Sequence, residues 1–370
     1  MPETLLMNHI QFDLSSFLKD IQDHVSPSVM IKIGELIINE LSGNESMVIS
    51  DLSVQLTVGL EASACSFTLT NIPDNIEDLV RPGAIVRIYI GYREPLLVFE
   101  GYVTGFSISS QPGALPYVTI NCLDAKGLMM SNRRVLRSVE VNGLAAIENV
   151  LQQYGQYAIR RDIQISRDIP LRIEQNAESD YDWLSRIASL ANLEFFILQG
   201  IIYLRDPMQL KPPLVVINDE RVVLAFTKEI CLSGQFGEVQ VISYDQSRQK
   251  QIIAKTSSVG QHSERLNIAA YNAESLFEEI DIPSSHVFIE PWIIDESQAN
   301  DRANSIMTRQ SMKFVTGKCD VFCMPFLCPG RYIKFTNITG LSGSYYITAV
   351  HHQLRSGAYT TALEFAADSY

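Results

Sequence analysis

The sequence predicts a mainly β fold: two related antiparallel β-barrel domains with a helix-containing α+β insert. Three observations carry this expectation. Short segments of alternating or branched apolar residues, bounded by turns, fill 29–136 and return over 213–260 and 313–370. Helical periodicity concentrates elsewhere, in 137–212 and 261–312. One pattern occurs twice, as RPGAIVRIYIGYREPLLVFEGYVTGF (Arg81–Phe106) and as CPGRYIKFTNITGLSGSYYITAV (Cys328–Val350).

Each copy of that pattern runs Pro-Gly, an alternating strand, a loop, then Tyr, a branched apolar residue and Thr. The first copy supplies Pro82, Gly83, Gly101, Tyr102 and Thr104; the second supplies Pro329, Gly330, Gly343, Tyr346 and Thr348. Pro82 to Tyr102 is 20 positions and Pro329 to Tyr346 is 17, which fits a loop three residues shorter. Proline presets φ at the corner and glycine tolerates a positive φ beside it. In the strand that follows, Ile85, Arg87 and Tyr89 share one face, and Val86, Ile88 and Ile90 share the other. These ten residues are candidates either for simple packing or for a surface between subunits.

The elements follow in order. Residues 5–25 place Ile10, Leu14, Phe17, Leu18, Ile21 and Val25 at helical spacing, and Ser26-Pro27-Ser28 ends the run. This gives an N-terminal amphipathic arm (1–28) that docks on a partner or on its own body. Strand patterns occupy 29–41, 47–60, 65–70, 85–92, 96–107 and 117–123, with no helix expected among them. Asn142 is placed to cap a helix carrying Leu144, Ile147, Val150, Leu151 and Tyr154, with Gly155 as its stop. Ser179 or Asp180 caps a second helix with Trp183, Leu184, Ile187 and Ala188 on one face. Glu194–Leu198 and Ile201–Leu204 around Gln199-Gly200 read as a hairpin. Strands resume at 214–226, 229–244 and 251–255. A helical excursion over 261–312 includes a helix at 295–312 with capping-box spacing at Asp295 and Gln298. The last strands are 313–322, 331–337, 344–354 and 359–365.

Bulk properties set further bounds. A chain of 370 residues suits two or three domains. With 46% apolar and 19% charged residues it can bury a sizeable core. The net charge of −13 disfavours direct reading of nucleic acid. Residues 261–312 hold nine acids and three bases, either a solvated face or an acidic docking wall. No apolar run is long enough to span a bilayer, so no membrane insertion by this chain is expected. Six scattered cysteines and no basic leader point to synthesis in a reducing cytoplasm.

Motifs for chemistry are sparse. Cys319, Cys323 and Cys328 precede His351 and His352, but their gaps suit buried thiols better than a zinc site. Adjacent histidines on a strand point to opposite faces, which argues against joint ligation and leaves interface or surface roles. Cys65, Cys122 and Cys231 read as core fillers. Asp180 and Asp182 read as capping and dipole complement rather than a catalytic pair. Trp183 reads as core. No nucleophile elbow, P-loop or dinucleotide fingerprint is present. The expectation is therefore no enzyme, no cofactor and no metal.

The segment AESDYDWLSRIASLANLEFFILQGIIYLRDP (Ala177–Pro207) resembles the mid-chain signature of VgrG proteins and phage late control protein D. EVQVISYD (Glu238–Asp245), SQANDRANSIMTRQSMKFVTGKCDV (Ser297–Val321) and the closing segment from Cys328 resemble the parts that follow in those families. The resemblance spans about 29–368, in the right order, without one invariant motif. It implies a structural baseplate hub of a contractile injection system: a phage tail, a tailocin, or a secretion or extracellular injection particle. Such a hub is a homotrimer whose six barrels form a quasi-sixfold ring between a hexameric inner tube protein and a trimeric spike. Many VgrG chains continue into a spike; here the expectation is a separate spike protein, with residues 1–28 available for other baseplate components. Rival readings are a tail-tip hub protein of a non-contractile phage, a tail-associated cell-wall hydrolase, and a glycan-binding β-protein.

Overall fold

The computed structural model describes residues 11–23, 27–39, 47–92, 95–136, 143–157, 160–164, 175–208, 212–245, 248–257, 272–281, 284–291, 293–355 and 357–370. Helix α1 (Leu14–Asp23) precedes β1 (Ser28–Ile33), β2 (Leu36–Asn39), β3 (Val48–Thr57), β4 (Ala64–Thr70), the one-turn helix α2 (Ile76–Leu79), β5 (Ile85–Gly91), β6 (Leu96–Ser109) and β7 (Tyr117–Leu123). Alternation sets the faces: Val86, Ile88 and Ile90 are fully buried, while Ile85, Arg87 and Tyr89 are half-buried. The run expected as one strand over 29–41 is instead a hairpin, because Gly34 adopts φ 55° and turns the chain. The helix α2 interrupts a stretch expected to hold strands alone.

The middle of the chain folds as α3 (Ala125–Ser131), β8 (Arg133–Leu136), α4 (Gly143–Leu151), β9 (Arg160–Gln164), β10 (Gln175–Ser179), α5 (Asp180–Leu190), β11 (Glu194–Leu198) and β12 (Ile201–Arg205). Ser179 caps α5 by accepting the Asp182 amide at 3.0 Å. Gln199 and Gly200 adopt φ of 52° and 69°, the twisted two-residue turn that matches paired strands. Gly155 does not stop α4 as a left-handed glycine: its φ is −58°, and the helix tightens through a 3₁₀ turn at Gln152–Tyr154. Asn142 lies outside the described residues. This part has its own core, with Ala125, Met129, Ile147, Leu151, Trp183, Leu184 and Ile187, and β8 pairs with β10, so the insert begins with α3 rather than at 137, where the sequence places it.

The remainder comprises β13 (Pro213–Ile217), β14 (Val223–Ile230), β15 (Glu238–Asp245), β16 (Lys250–Thr256), α6 (Ala273–Glu279), β17 (Ser285–Ile289), α7 (Glu296–Ser311), β18 (Val315–Phe322), β19 (Tyr332–Phe335), β20 (Gly343–Arg355) and β21 (Ala358–Ala367). Asp295 caps α7 through the Gln298 amide at 2.8 Å. One expectation fails here. The strands β15 and β16, assigned to the second barrel over 213–260, pair with each other and with β17 in a separate sheet against α7. The excursion from the main sheet therefore begins after β14 rather than at 261.

The main sheet has 13 strands, ordered β14-β18-β21-β20-β3-β4-β7-β6-β5-β1-β2, with β13 and β19 branching from β20. Two sets are visible in it. The order β3-β4-β7-β6-β5 in the first half matches β14-β18-β21-β20-β19 in the second, and both sets are antiparallel throughout. The halves share bulge positions as well. Register shifts fall at Val103/Gly105 and Ile347/Ala349, and again at Ile49/Asp51 and Val223/Ala225. The outer strand breaks the likeness: β1 runs antiparallel to β5, whereas β13 runs parallel to β19. The two sets join edge to edge through β3 and β20, from Ala349 opposite Thr57 to Arg355 opposite Asp51. Among the described residues no ladder closes either set on itself.

Candidate functional site

The repeated corners are built alike. Gly83 and Gly330 adopt φ of 87° and 86°. The Gly83 amide donates to Val103 at 2.8 Å, and Val103 donates back to Ala84 at 2.9 Å; Gly330 and Ile347 repeat this at 2.9 Å, with Ile347 donating to Arg331 at 2.9 Å. Thr104 and Thr348 are the bulged residues that follow. Gly101 and Gly343 are not counterparts. Gly101 lies one residue before Tyr102, where a Cβ would come within 2.3 Å of the Leu123 carbonyl; Gly343 lies three residues before Tyr346, at φ 155°.

Both corners are held by the middle of the chain, through different chemistry. The Tyr157 hydroxyl donates to the Gly83 carbonyl at 3.1 Å, and its ring packs on Tyr102 at 5.5 Å. At the second corner Arg205 donates to the Gly330 carbonyl at 2.7 Å and pairs with Glu194 at 3.1 Å, while Tyr346 donates to Glu194 at 2.7 Å. The Arg205 guanidinium also lies 5.0 Å over the Phe196 ring. Neighbouring charges and hydrogen bonds hold the Arg205 guanidinium well above its usual range despite burial, and burial pushes the Tyr346 phenol up. Arg331 is fully buried beside Cys328, its pKa lowered chiefly by burial, and donates to the Pro212 carbonyl at 3.3 Å.

Pro329, Gly330, Tyr346 and Tyr102 are accordingly buried within the chain, whereas Pro82, Gly83 and Thr104 are exposed. With Gly101, five of the ten repeat residues are buried, and Gly330, Tyr346 and Tyr102 form joints between repeat and insert. The sequence reading missed Arg205, Glu194 and Tyr157. A signal for the first two existed: Glu194 and Arg205 are opposite charges bracketing an apolar hairpin, and they fall directly opposite each other in the ladder.

The chemical candidates resolve into structure. Cys319, Cys323 and Cys328 are buried free thiols, with burial pushing Cys319 and Cys328 up to about 12. Among the described residues no cluster of His, Cys, Asp and Glu is arranged to hold a metal. His351 and His352 do face opposite ways. His351 meets the Ser53 hydroxyl at 2.8 Å, but His352 is wholly buried between Thr361 and the Leu327 carbonyl, which corrects its expected interface or surface role. Asp180 is also more than a cap: it accepts from Tyr154 at 2.6 Å, Gln175 at 2.9 Å and Asn132 at 3.0 Å. Trp183 is core.

The described part of the N-terminal arm turns its apolar face inward. Phe12 donates its amide to Leu214 at 2.7 Å and stacks on Phe326 at 4.3 Å, Phe17 packs edge-on to Phe326 and Tyr92, and Leu14 is buried. Phe12, Leu14 and Phe17, expected to reach other components, therefore pack on their own body; residues 1–10 and 24–26 of the arm, with Ile10 and Val25, lie outside the described residues. No helix among the described residues is long and apolar enough to cross a membrane.

Among the strand edges left unpaired in the described residues, two belong to the repeated sets. The strand β14 ends the main sheet, with Leu224, Phe226 and Ile230 exposed by 47%, 40% and 44%. Beyond Val103, β6 has β7 on one side only, and Ile108 there is 42% exposed.

A family model described as the Alg8 N-terminal domain matches residues 61–356. No curated protein matches the chain. Among solved structures, a tail protein from Neisseria meningitidis MC58 aligns with a TM-score of 0.67 at 12% identity, over 93% of this chain and 97% of that one. The 43 kDa tail protein of prophage MuSo2 from Shewanella oneidensis aligns with a TM-score of 0.66 at 13% identity, over 93% and 99%. An E. coli component of the type VI secretion system, described as structurally similar to T4 bacteriophage tail proteins, aligns with a TM-score of 0.57 at 13% identity, over 91% and 76%. The fold is that of these tail and secretion-system proteins. The resemblance read from the sequence agrees with them, while the family model carries a different description.

Proposed function

From the premise that the chain belongs to the family described as the Alg8 N-terminal domain and carries a tail-protein fold, we propose that it is a structural baseplate hub. In this reading three copies assemble so that their six related half-sheets imitate a hexagon. One face then matches a hexameric inner tube, and the other a trimeric spike made as a separate protein. The observation that carries the reading is the duplication: two strand sets of one order, with matching bulges and corners, within a single chain. A doubled unit lets threefold copies present nearly sixfold contacts. The tail and secretion-system proteins that share the fold support a place in a phage tail or injection particle.

The proposed role is mechanical and non-enzymatic. Asp180, the carboxylate nearest to a catalytic setting, is enclosed by three hydrogen-bond donors of its own chain. Light scattering on the purified chain should give three times the chain mass, and class averages down the axis should show six lobes. A monomer at tens of micromolar, or clearing of peptidoglycan on a zymogram, would overturn the proposal. The second result would favour a tail-associated hydrolase.

A further inference from the structure

We propose that Cys65 and Cys122 are a paired dithiol that a peroxide converts to a cross-strand disulfide inside the first half of the main sheet. The inference goes beyond the hub reading and does not depend on it. The two cysteines stand directly opposite each other in the β4–β7 ladder. Residues so placed share one face and have Cα atoms about 4.5–5.5 Å apart, within the roughly 4.4–6.8 Å that a disulfide spans. Both are free thiols buried in the core. Val54 on β3 and Val103 on β6 extend the same buried row on either side, so apolar side chains flank the two sulfurs.

The second half shows how packing alone fills this position. Counted from the shared bulges, Cys65 and Cys122 correspond to Gly317 and Phe365, which also face each other. There one ring takes the space: a Cβ on Gly317 would lie 2.4 Å from the Phe365 side chain. The first half fills it with two thiols. Burial, and after it the hydrogen bond and charge of the Cys122 thiol, push Cys65 well above the usual thiol range. The buried Cys319 differs, because its ladder neighbours are Leu363 and Phe226 and neither offers a second sulfur.

Cys65 stays protonated at neutral pH, so its reaction waits on brief separation of β4 from its neighbours. The exposed thiolate then attacks hydrogen peroxide. An S–O bond forms, the O–O bond breaks, and the departing hydroxide takes up a proton to become water. When the strands close again, the Cys122 sulfur displaces the hydroxyl of the Cys65 sulfenic acid. An S–S bond forms, the S–O bond breaks, and the thiol proton leaves with the hydroxyl as a second water. Two thiols are oxidised by two electrons in all, and one peroxide is reduced by two. The bridge ties β4 to β7 and closes the loop that carries α2, β5 and β6. A closed loop restricts the unfolded chain, so the oxidised form resists denaturation.

The test uses the full chain, folded and reduced, incubated with hydrogen peroxide until the half-buried Cys231 is consumed. The chain is then unfolded, alkylated and mapped by mass spectrometry. One linked peptide pair should join Cys65 to Cys122, lighter than the separate peptides by two hydrogen atoms. The oxidised chain should unfold at a higher urea midpoint, and dithiothreitol should return that midpoint to the value of the untreated chain. Cys122→Ser should abolish both the link and the shift; if that variant does not fold, the mapping and the reduction of the parent decide by themselves. Recovery of Cys65 and Cys122 unlinked, a link from either to another cysteine, or a link that lowers the midpoint overturns the proposal. Each of these results leaves the hub reading standing, since that reading is judged by the mass of the assembly.

Discussion

The two Pro-Gly corners have the same backbone and opposite surroundings. Pro82-Gly83 is exposed and is held by one neutral hydrogen bond from Tyr157; Pro329-Gly330 is buried and is held by the Arg205–Glu194–Tyr346 cluster. The difference lies in what the middle of the chain brings to each. The loop after α4 supplies Tyr157 to the first corner. The β11–β12 hairpin inserts both charged ends at the second. A duplicated fold thus keeps its backbone geometry while its burial diverges, and the buried copy becomes the more sensitive one.

The largest effect is expected at that buried copy. Arg205→Ala removes the cation from a buried pair and leaves Glu194 with only the Tyr346 hydroxyl of the contacts described above. Breaking such a pair by truncating one partner costs about 3–5 kcal/mol. Urea denaturation should show this as a lower midpoint. A loss below about 1 kcal/mol would mean that the second corner is held by packing alone.

The second contrast concerns pH. His352 and Ile108 occupy matching strand positions, and only His352 is covered. Burial lowers the His352 imidazole from 6.5 to about 4. The folded chain therefore resists a proton that the unfolded chain accepts below pH 6.5. Stability from this group is intact above 6.5 and falls as the pH drops toward 4, by roughly 3 kcal/mol in all. Asp124 opposes it, because burial raises that carboxyl from 3.8 to about 6 and stability from it declines as pH rises through that interval. Comparison with His352→Gln isolates the histidine. The variant should lose less stability than the parent between pH 6.5 and pH 4.5, and parallel curves would refute the assignment.

A third contrast is steric. A Cβ on Gly101 would lie 2.3 Å from the Leu123 carbonyl, and one on Gly105, four residues along the same strand, meets nothing within 4 Å. Gly101→Ala should cost about 1–3 kcal/mol by overpacking. Gly105→Ala should be close to neutral in thermal denaturation. Equal effects would show that the strand shifts freely to admit the methyl group.

The sequence made the strands, the hairpin at Gln199-Gly200 and the duplication legible because each depends on local period and turn chemistry. The pattern of Val86, Ile88 and Ile90 could be read directly. The hairpin at Gly34 was hidden because Val29–Leu41 stays apolar through the turn. Sheet membership was not legible: β15 alternates like any barrel strand, and only its pairing with β16 and β17 removes it from the main sheet. The corner residues were found by repetition, but their partners Tyr157 and Arg205 lie 74 and 125 positions away from the glycines they hold. Contacts at that separation leave no mark on periodicity.

The smallest expected effect belongs to the open corner and sharpens the comparison from its weak side. Tyr157→Phe keeps the ring against Tyr102 and removes only the hydroxyl that donates to Gly83. This hydrogen bond is exposed, so water replaces the lost donor and no buried polar group is stranded. The cost should be near the low end of the usual 0.5–1.5 kcal/mol, several times smaller than that of Arg205→Ala. Hydrogen exchange at the Val103 and Ile347 amides reads the two corners separately. Tyr157→Phe should leave both amides nearly as protected as in the parent, while Arg205→Ala should selectively expose Ile347. If the hydroxyl deletion instead frees Val103 as strongly as the arginine deletion frees Ile347, then burial is not what separates the two corners, and the contrast must be sought in the strands that follow them.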